Sequence, residues 1–429
     1  MTEAVATLPT MRSASAIWMR IGCLSFGGPA GQIALMHSEL VERRRLVDEA
    51  SFTHGLNYCM LLPGPEAMQL ACYLGWRMHG NLGGLMAGAL FVLPGAALML
   101  LLSWLFIALG TLPAAAGVLL GLQAAVLGIV FNALQRIGRK MLKTRFALLL
   151  ALAALLGLAW LQLPFPLLLL LAAFTGALVA RVRPSWLPAT GHAVSPPSSV
   201  SGKRRLAASA SLALALVIAW WLPLFAVAWL VGADSTAWAM ALFFSKAALV
   251  TFGGAYAVLP YVAQQAVETY AWLAPGQMLV GLGLAESTPG PLILVLQFVG
   301  FVGGWQHPDL ASPLLSALLC AGVVVWATFL PSFLFVLPAA PWIERLRELP
   351  LLAGALAGVG AAVVGVIANL AIWFAIALLR SVDLADAIGV LLIAAASWFA
   401  LQKDRVPLPL VVVCAGVLGA LAAAFGWGR

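Results

Sequence analysis

Two cations stand inside apolar stretches: Arg20 in Trp18-Met19-Arg20-Ile21-Gly22 and Lys246 in Phe243-Phe244-Ser245-Lys246-Ala247. A charge at the centre of a membrane helix costs about 2.5 to 3.5 kcal/mol on insertion scales, so such residues either bind something or run their long stems to an interface. Each precedes a Phe-Gly-Gly by six residues, in Ser25-Phe26-Gly27-Gly28-Pro29 and Thr251-Phe252-Gly253-Gly254-Ala255. A Pro-Gly-Pro then follows each, in Leu62-Pro63-Gly64-Pro65 and Thr288-Pro289-Gly290-Pro291. Residue types of this kind can hold an anion. Paired glycines let backbone N–H groups approach a ligand, a broken helix presents about half an elementary charge at each new end, and Pro65 and Pro291 are suited to start helices whose N-termini point inward. The plainer readings are close helix packing through small residues for Gly-Gly and a simple kink for Pro-Gly-Pro. Recurrence of both, in the same order, favours a site.

Two carboxylates lie next to the breaks. Glu66 follows Pro65, and Glu286 shortly precedes Pro289. Their repeat counterparts are Leu292 and Met60, so the pair is asymmetric; proton coupling is one role, and complementing a helix N-terminus is another for Glu66. Gln69, Arg77, Asn132 and Asn369 either line a pathway or bond between helices. The five histidines and five cysteines show no ligand spacing, so neither a metal nor a cofactor is expected. No phosphate-binding glycine loop, Walker lysine or catalytic elbow appears, which leaves ATP-driven transport and enzymatic hydrolysis without support.

These residues must be positioned by membrane helices. Of 429 residues, 63% are hydrophobic and 9% charged, against roughly 25% charged in soluble domains. Many apolar stretches reach the roughly 20 residues that span a bilayer, so the fold class is an all-α polytopic membrane protein. The net charge of +8 comes from basic residues in short loops, a positive-inside pattern rather than a nucleic-acid surface. Residues 1–12 carry no cleavage signature, and no cleaved signal peptide is expected.

Residues 25–65 map onto 251–291 with a constant offset of 226, and Pro94, Gly121, Gly128 and Asn132 map onto Pro331, Gly358, Gly365 and Asn369 with an offset of 237. One insertion near His307-Pro308-Asp309 accounts for the change. We therefore divide the chain into a first transporter repeat (1–180), a basic cytoplasmic linker (181–206) carrying Lys203-Arg204-Arg205, an extra transmembrane helix (207–231) and a second repeat (232–429). The expected first-half segments are 14–36, 50–78, 82–110, 113–135, 146–161 and 164–180. In the second half they are 237–262, 276–304, 312–338, 352–379, 384–400 and 407–427.

An even number of crossings followed by one extra helix puts the second repeat in upside down, giving inverted-topology repeats with broken helices in each half. With the N-terminus cytoplasmic, the clusters Arg136 to Arg145, Arg345 with Arg347, and Lys403 with Arg405 fall inside. Thirteen full crossings would put Arg43-Arg44-Arg45 outside. Nine crossings plus four half-membrane segments, dipping in and returning as hairpins, would put them inside, and both arrangements stay open.

The ordered set Ser25-Phe26-Gly27-Gly28-Pro29, Leu62-Pro63-Gly64-Pro65, Thr251-Phe252-Gly253-Gly254 and Ser287-Thr288-Pro289-Gly290-Pro291 resembles the chromate ion transporter family in its long, two-domain form, over nearly the whole chain. The resemblance implies a secondary transporter of the bacterial inner membrane that exports chromate, with sulfate as a structural analogue, driven by the proton-motive force. It also implies a pathway formed by Phe26, Gly27, Gly28, Pro29, Pro63, Gly64 and Pro65, and by Phe252, Gly253, Gly254, Pro289, Gly290 and Pro291. The second half departs where Ala255 replaces Pro29. Expected partners are a chromate or sulfate dianion, the lipid bilayer and protons, with no nucleic acid; a homodimer is one open assembly, and a sulfate carrier, inward-working included, is the alternative function.

Overall fold

A computed structural model describes residues 9–110, 113–183, 186, 202–252, 254–342, 350–402, 406–424 and 427. Gly253, His192, most of the 181–206 linker, Arg345, Arg347, Lys403 and Arg405 lie outside the described residues. Among the described residues sixteen α-helices follow one another: α1 (Met11–Leu24), α2 (Gly28–His37), α3 (Glu49–Cys59), α4 (Glu66–Leu109), α5 (Pro113–Met141), α6 (Arg145–Ala159), α7 (Phe165–Val182), α8 (Gly202–Val231), α9 (Thr236–Leu249), α10 (Ala255–Gln264), α11 (Pro275–Ser287), α12 (Val295–Gln306), α13 (Pro313–Val336), α14 (Pro350–Arg380), α15 (Leu384–Leu401) and α16 (Leu408–Ala424). Among the described residues seven helical stretches are long and apolar enough to cross a membrane, and the chain is a multi-pass membrane protein. The long helices form because apolar residues run on with few breakers; polar caps close their ends, Thr10 accepting from Ser13 N, Thr144 from Ala147 N and Ser235 from Trp238 N. Helix α4 is kinked at His79 and Gly80.

Two boundaries differ from the sequence reading. Helix α5 continues to Met141 rather than ending near 135, because Gln135, Arg136, Arg139 and Lys140 are good helix formers, no proline intervenes and the single Gly138 is tolerated among them. Helix α8 likewise begins at Gly202.

The motif-bearing elements are short. Helices α1 and α9 have 14 residues each, about 21 Å against a hydrocarbon core of about 30 Å. Their hairpins return to the end they left. Pro9 and Ser13, at the start of α1, share a groove with Arg44 and Leu46. Arg77, late in the first stretch of α4, donates to Ser51 Oγ at 2.8 Å and lies 3.9 Å from Asp48. In the second half, Thr236 N and Ala237 N donate to Asp309 at 2.7 and 2.8 Å, a His307 ring nitrogen lies 3.0 Å from Ala271 O, and Gln306 donates to Gln277 at 3.1 Å.

The 226-residue offset extends to backbone detail. A π-helical turn follows α2 at Ser38–Arg43 and follows α10 at Gln265–Thr269. Arg45 and Ala271 both have φ 51°, and the bonds Leu46 N to Leu40 O and Trp272 N to Ala266 O are both 2.8 Å. The remaining helices interlock. Helices α6 and α7 pack on α14, whereas α15 and α16 pack on α5. Small residues permit this close approach: Gly121 faces the Ala415 carbonyl and Gly128 that of Ala394, while Gly358 faces Ala172 and Gly365 faces Ala151.

Candidate anion-binding site at the crossed helix breaks

Helix α1 ends because Gly27 and Gly28 take left-handed backbone, with φ 86° and 70°. Ser25 Oγ donates back to Ile21 O at 2.6 Å, and its mate Thr251 Oγ1 donates to Ala247 O at the same distance. The main-chain carbonyls of Ser25 and Thr251 are taken by the opposite half. Gly290 N donates to Ser25 O at 2.8 Å, and Gly64 N donates to Thr251 O at 2.7 Å. Each Phe-Gly-Gly break is thus tied to the other half's Pro-Gly-Pro break, and the two ties are repeat mates.

Glycine is required at these crossings. Gly64 has φ 124° and Gly290 φ 95°. A Cβ on Gly64 would stand 2.6 Å from Gln69 Nε2 and 2.8 Å from Ser332 Oγ; one on Gly290 would stand 3.2 Å from Leu294 Cδ1 and 3.5 Å from Gly95 Cα. Gly95 and Ser332 are themselves mates at the 237 offset. Pro65 and Pro291 cap the following helices in extended conformation rather than occupying their first turns; α4 starts at Glu66, and a short 3₁₀ turn, Leu292–Leu294, leads into α12. Pro29 lies in the first turn of α2. Four helix N-termini therefore begin at or beside the breaks.

Side chains from both halves meet around them. The Glu66 carboxylate lies over Gly254, its Oε1 3.8 Å from where a Cβ would sit. The Tyr256 hydroxyl donates to Glu286 Oε1, both residues being buried. The charge of Arg136, on α5, reaches Glu286 and Tyr256, and that of Lys140, one turn on, reaches Glu66. Gln32 Nε2 donates to Gly290 O at 2.6 Å. Gln69 Nε2 donates to Pro63 O at 2.7 Å, while Gln69 Oε1 and Ser332 Oγ, both buried beside Gly64, have no hydrogen-bond partner among the described residues. Backbone donors and two carboxylates at paired helix breaks, with the exposed cations Arg136 and Lys140 near enough for their charge to act on those carboxylates, can bind an anion and exchange charge with it.

The other expected residues flank the crossing or lie beyond it. Arg20 is exposed and lines the groove with Ser13 and Arg44, so it reaches toward the open end of its hairpin. Lys246 is exposed on α9. Arg77 sits at the hairpin end with Ser51. Asn369 lines a cavity of about 50 Å³ with Glu268 and Trp373, and Asn132 is half-buried one turn before Arg136. Phe26 is exposed and Phe252 half-buried.

Gln32, Tyr256, Arg136 and Lys140 escaped the sequence reading. Gln32 and Tyr256 have the counterparts Val258 and Ala30, so the repeat gives no signal for them. Arg136 and Lys140 were legible through spacing: with Asn132 they recur every four residues and so share a helix face.

The family model described as Chromate transporter matches residues 13–177 and 238–420. A chromate transport protein of Pseudomonas aeruginosa is 33% identical over 427 residues, covering 97% of this chain and 94% of that protein. One from Cupriavidus metallidurans is 29% identical, covering 97% and 95%, and a probable chromate transport protein of Synechococcus elongatus is 30% identical, covering 96% and 95%. No solved structure gives a significant match. Matched by the family model over most of its length and aligned almost end to end with these relatives, the chain belongs to the chromate transporter family.

Proposed function

We propose that the protein exports chromate across the bacterial inner membrane and so confers chromate resistance. The observation that carries this reading is the reciprocal tie between the breaks, Gly64 N to Thr251 O and Gly290 N to Ser25 O, which puts four helix ends from two repeats at one place. The names of the full-length relatives supply the substrate.

The repeats act as inverted units. In support, Leu337, just beyond α13, shares a groove with Trp76 and Arg77, which precede the kink of α4, and with Ser209 near the start of α8. The second stretch of α4 therefore starts at the end where its mate α13 finishes. The N-terminus, Arg43 to Arg45 and the linker are cytoplasmic, with nine crossings and four half-membrane segments.

A tetrahedral dianion sits against the backbone of Phe26, Gly27, Gly28 and Gly254, with Pro63, Pro65, Pro289 and Pro291 setting the helix ends. Arg136 and Lys140 supply positive charge that acts on the carboxylates beside the breaks; Arg20 and Lys246 serve as outer cations. Glu66 and Glu286 hold those charges when the anion is absent and are the groups through which protons enter the cycle. Expelling a dianion across a potential of 100 mV, negative inside, is favoured by about 4.6 kcal/mol, so the membrane potential alone can drive export.

Uptake of labelled chromate by everted vesicles tests this. Saturable uptake that rises with an interior-positive potential and falls when sulfate competes is expected. Sulfate uptake that chromate leaves unaffected would transfer the function to a sulfate carrier, and uptake only by right-side-out vesicles would reverse the direction.

A further inference from the structure

The offsets that relate the two halves also relate their closures, and only one closure is made. In the second half, α10 and its π turn close onto α14: the Trp373 indole N–H donates to Glu268 Oε1 at 2.9 Å. Tyr261 stacks on Phe165 with ring centroids 5.2 Å apart and planes 14° apart. Helix α10 is buried from Ala255 to Pro260. The repeat mates of Tyr261 and Glu268 are Leu35 and Glu42, and those of Asn369 and Trp373 are Asn132 and Arg136.

The first-half closure is open. Helix α2 packs on α4, with only Gln32 and Met36 buried. Glu42 lies 3.4 Å from His37 Nδ1 with its side chain 60% exposed. Arg136 is exposed.

The geometry points to Arg136 as a gating residue: when the transporter opens to the other side, Glu42 closes onto Arg136 as Glu268 here closes onto Trp373, and Glu268 then leaves Trp373. This rests on the reading of the halves as inverted repeats that take turns. The replacement of Trp by Arg gives the two gates different chemistry. The Glu268 gate closes with a neutral donor, whereas the Glu42 gate closes on a guanidinium that the dianion also seeks. Glu42 and the substrate therefore compete for one cation, and closing the gate releases the anion from Arg136.

Paired cysteines test the exchange. In a background lacking the exposed Cys23 and Cys414, Glu268→Cys with Trp373→Cys and Glu42→Cys with Arg136→Cys are treated with a short bismaleimide in membranes. Each pair is expected to cross-link in part of the population, and a variant carrying all four cysteines should never show both links in one molecule. Both links in one molecule, or no link at the Glu42–Arg136 pair when the other forms, would overturn the proposal. Charge reversal guards against a variant that fails to fold. Glu42→Arg and Arg136→Glu should each raise maleimide labelling of Phe26→Cys about threefold by holding the first-half gate open, and the double variant should recover most of the protection even though it lacks the site cation; a double variant labelled as fast as the worse single would count against the pair. Cross-linking needs no substrate, so the gate can stand even where chromate proves the wrong anion.

Discussion

The first hairpins of the two halves share a backbone plan and differ in shelter. Both have a left-handed break after the first helix, a π turn after the second and a Pro-Gly-Pro break after the third. In the second half α10 is buried from Ala255 to Pro260, and α11 lies against α5, α14 and α16. In the first half α2 and α3 rest chiefly on α4, and Gly27 and Gly28 face unfilled space. Local sequence thus sets where a helix breaks, and packing against the interlocked helices sets whether the break meets water. One plan in two packing states is what alternating access asks of a repeat pair.

The severest challenge to the shared plan is steric. Gly281 faces the Phe298 ring and its mate Gly55 faces the Tyr73 ring, each too close for a Cβ. Gly281→Leu and Gly55→Leu should each cost about 3 kcal/mol, read as a lower thermal midpoint in detergent. A large loss at one with none at the other would mean that the hairpins close differently. Next in size is the choice of cation. Arg136→Gln should lower chromate transport about tenfold or more and Arg20→Gln about twofold or less, as expected for a charge at the site against one at an interface. The opposite ranking would return the site to the Arg20 and Lys246 pair.

The difference in shelter can be read by labelling. In a background lacking Cys23 and Cys414, Phe26→Cys should react with a water-soluble maleimide about ten times faster than Phe252→Cys; equal rates would remove the open and closed distinction. The smallest expected effect is on acid stability. Burial opposes ionisation of Glu39, but hydrogen bonds from Arg44 and Arg43 outweigh it, and with Arg20 nearby its carboxyl titrates below the usual range. A depressed pKa gives stability that is present above the unfolded value and lost as pH falls through the folded one. Because Arg43 is 65% exposed, water screens much of the interaction. Glu39→Gln, which copies its mate Gln265, should therefore remove only a slight loss of stability below about pH 4, visible in a pH series of melting curves; an unchanged acid slope would show that Glu39 contributes none.

Much of this arrangement was legible. The all-helical membrane class follows from apolar runs, and the breaks follow from Gly and Pro within them. The offsets could be counted before any contact was known. The crossing itself could not be seen, because a hydrogen bond from Gly64 to Thr251 joins residues far apart in the chain and leaves no local pattern. Arg136 and Lys140 have a legible four-residue spacing but were obscured for another reason: a basic cluster next to an apolar run reads as a cytoplasmic loop, and the continuation of α5 to Met141 is what carries them on a helix. Tyr256 and Gln32 break the repeat, with Ala30 and Val258 as their mates, so symmetry gives no signal for them.

The interlocking of α6 and α7 with α14, and of α15 and α16 with α5, bears on how such a chain arises. Half of it, made alone, would expose the glycine-lined face of its central helix, which here is covered by helices of the other half. A second copy lending its own last two helices would cover that face. The full-length chain then carries its dimerisation partner within itself, and coexpressing residues 1–201 and 202–429 as separate polypeptides should rebuild the transporter, whereas either fragment alone should be degraded.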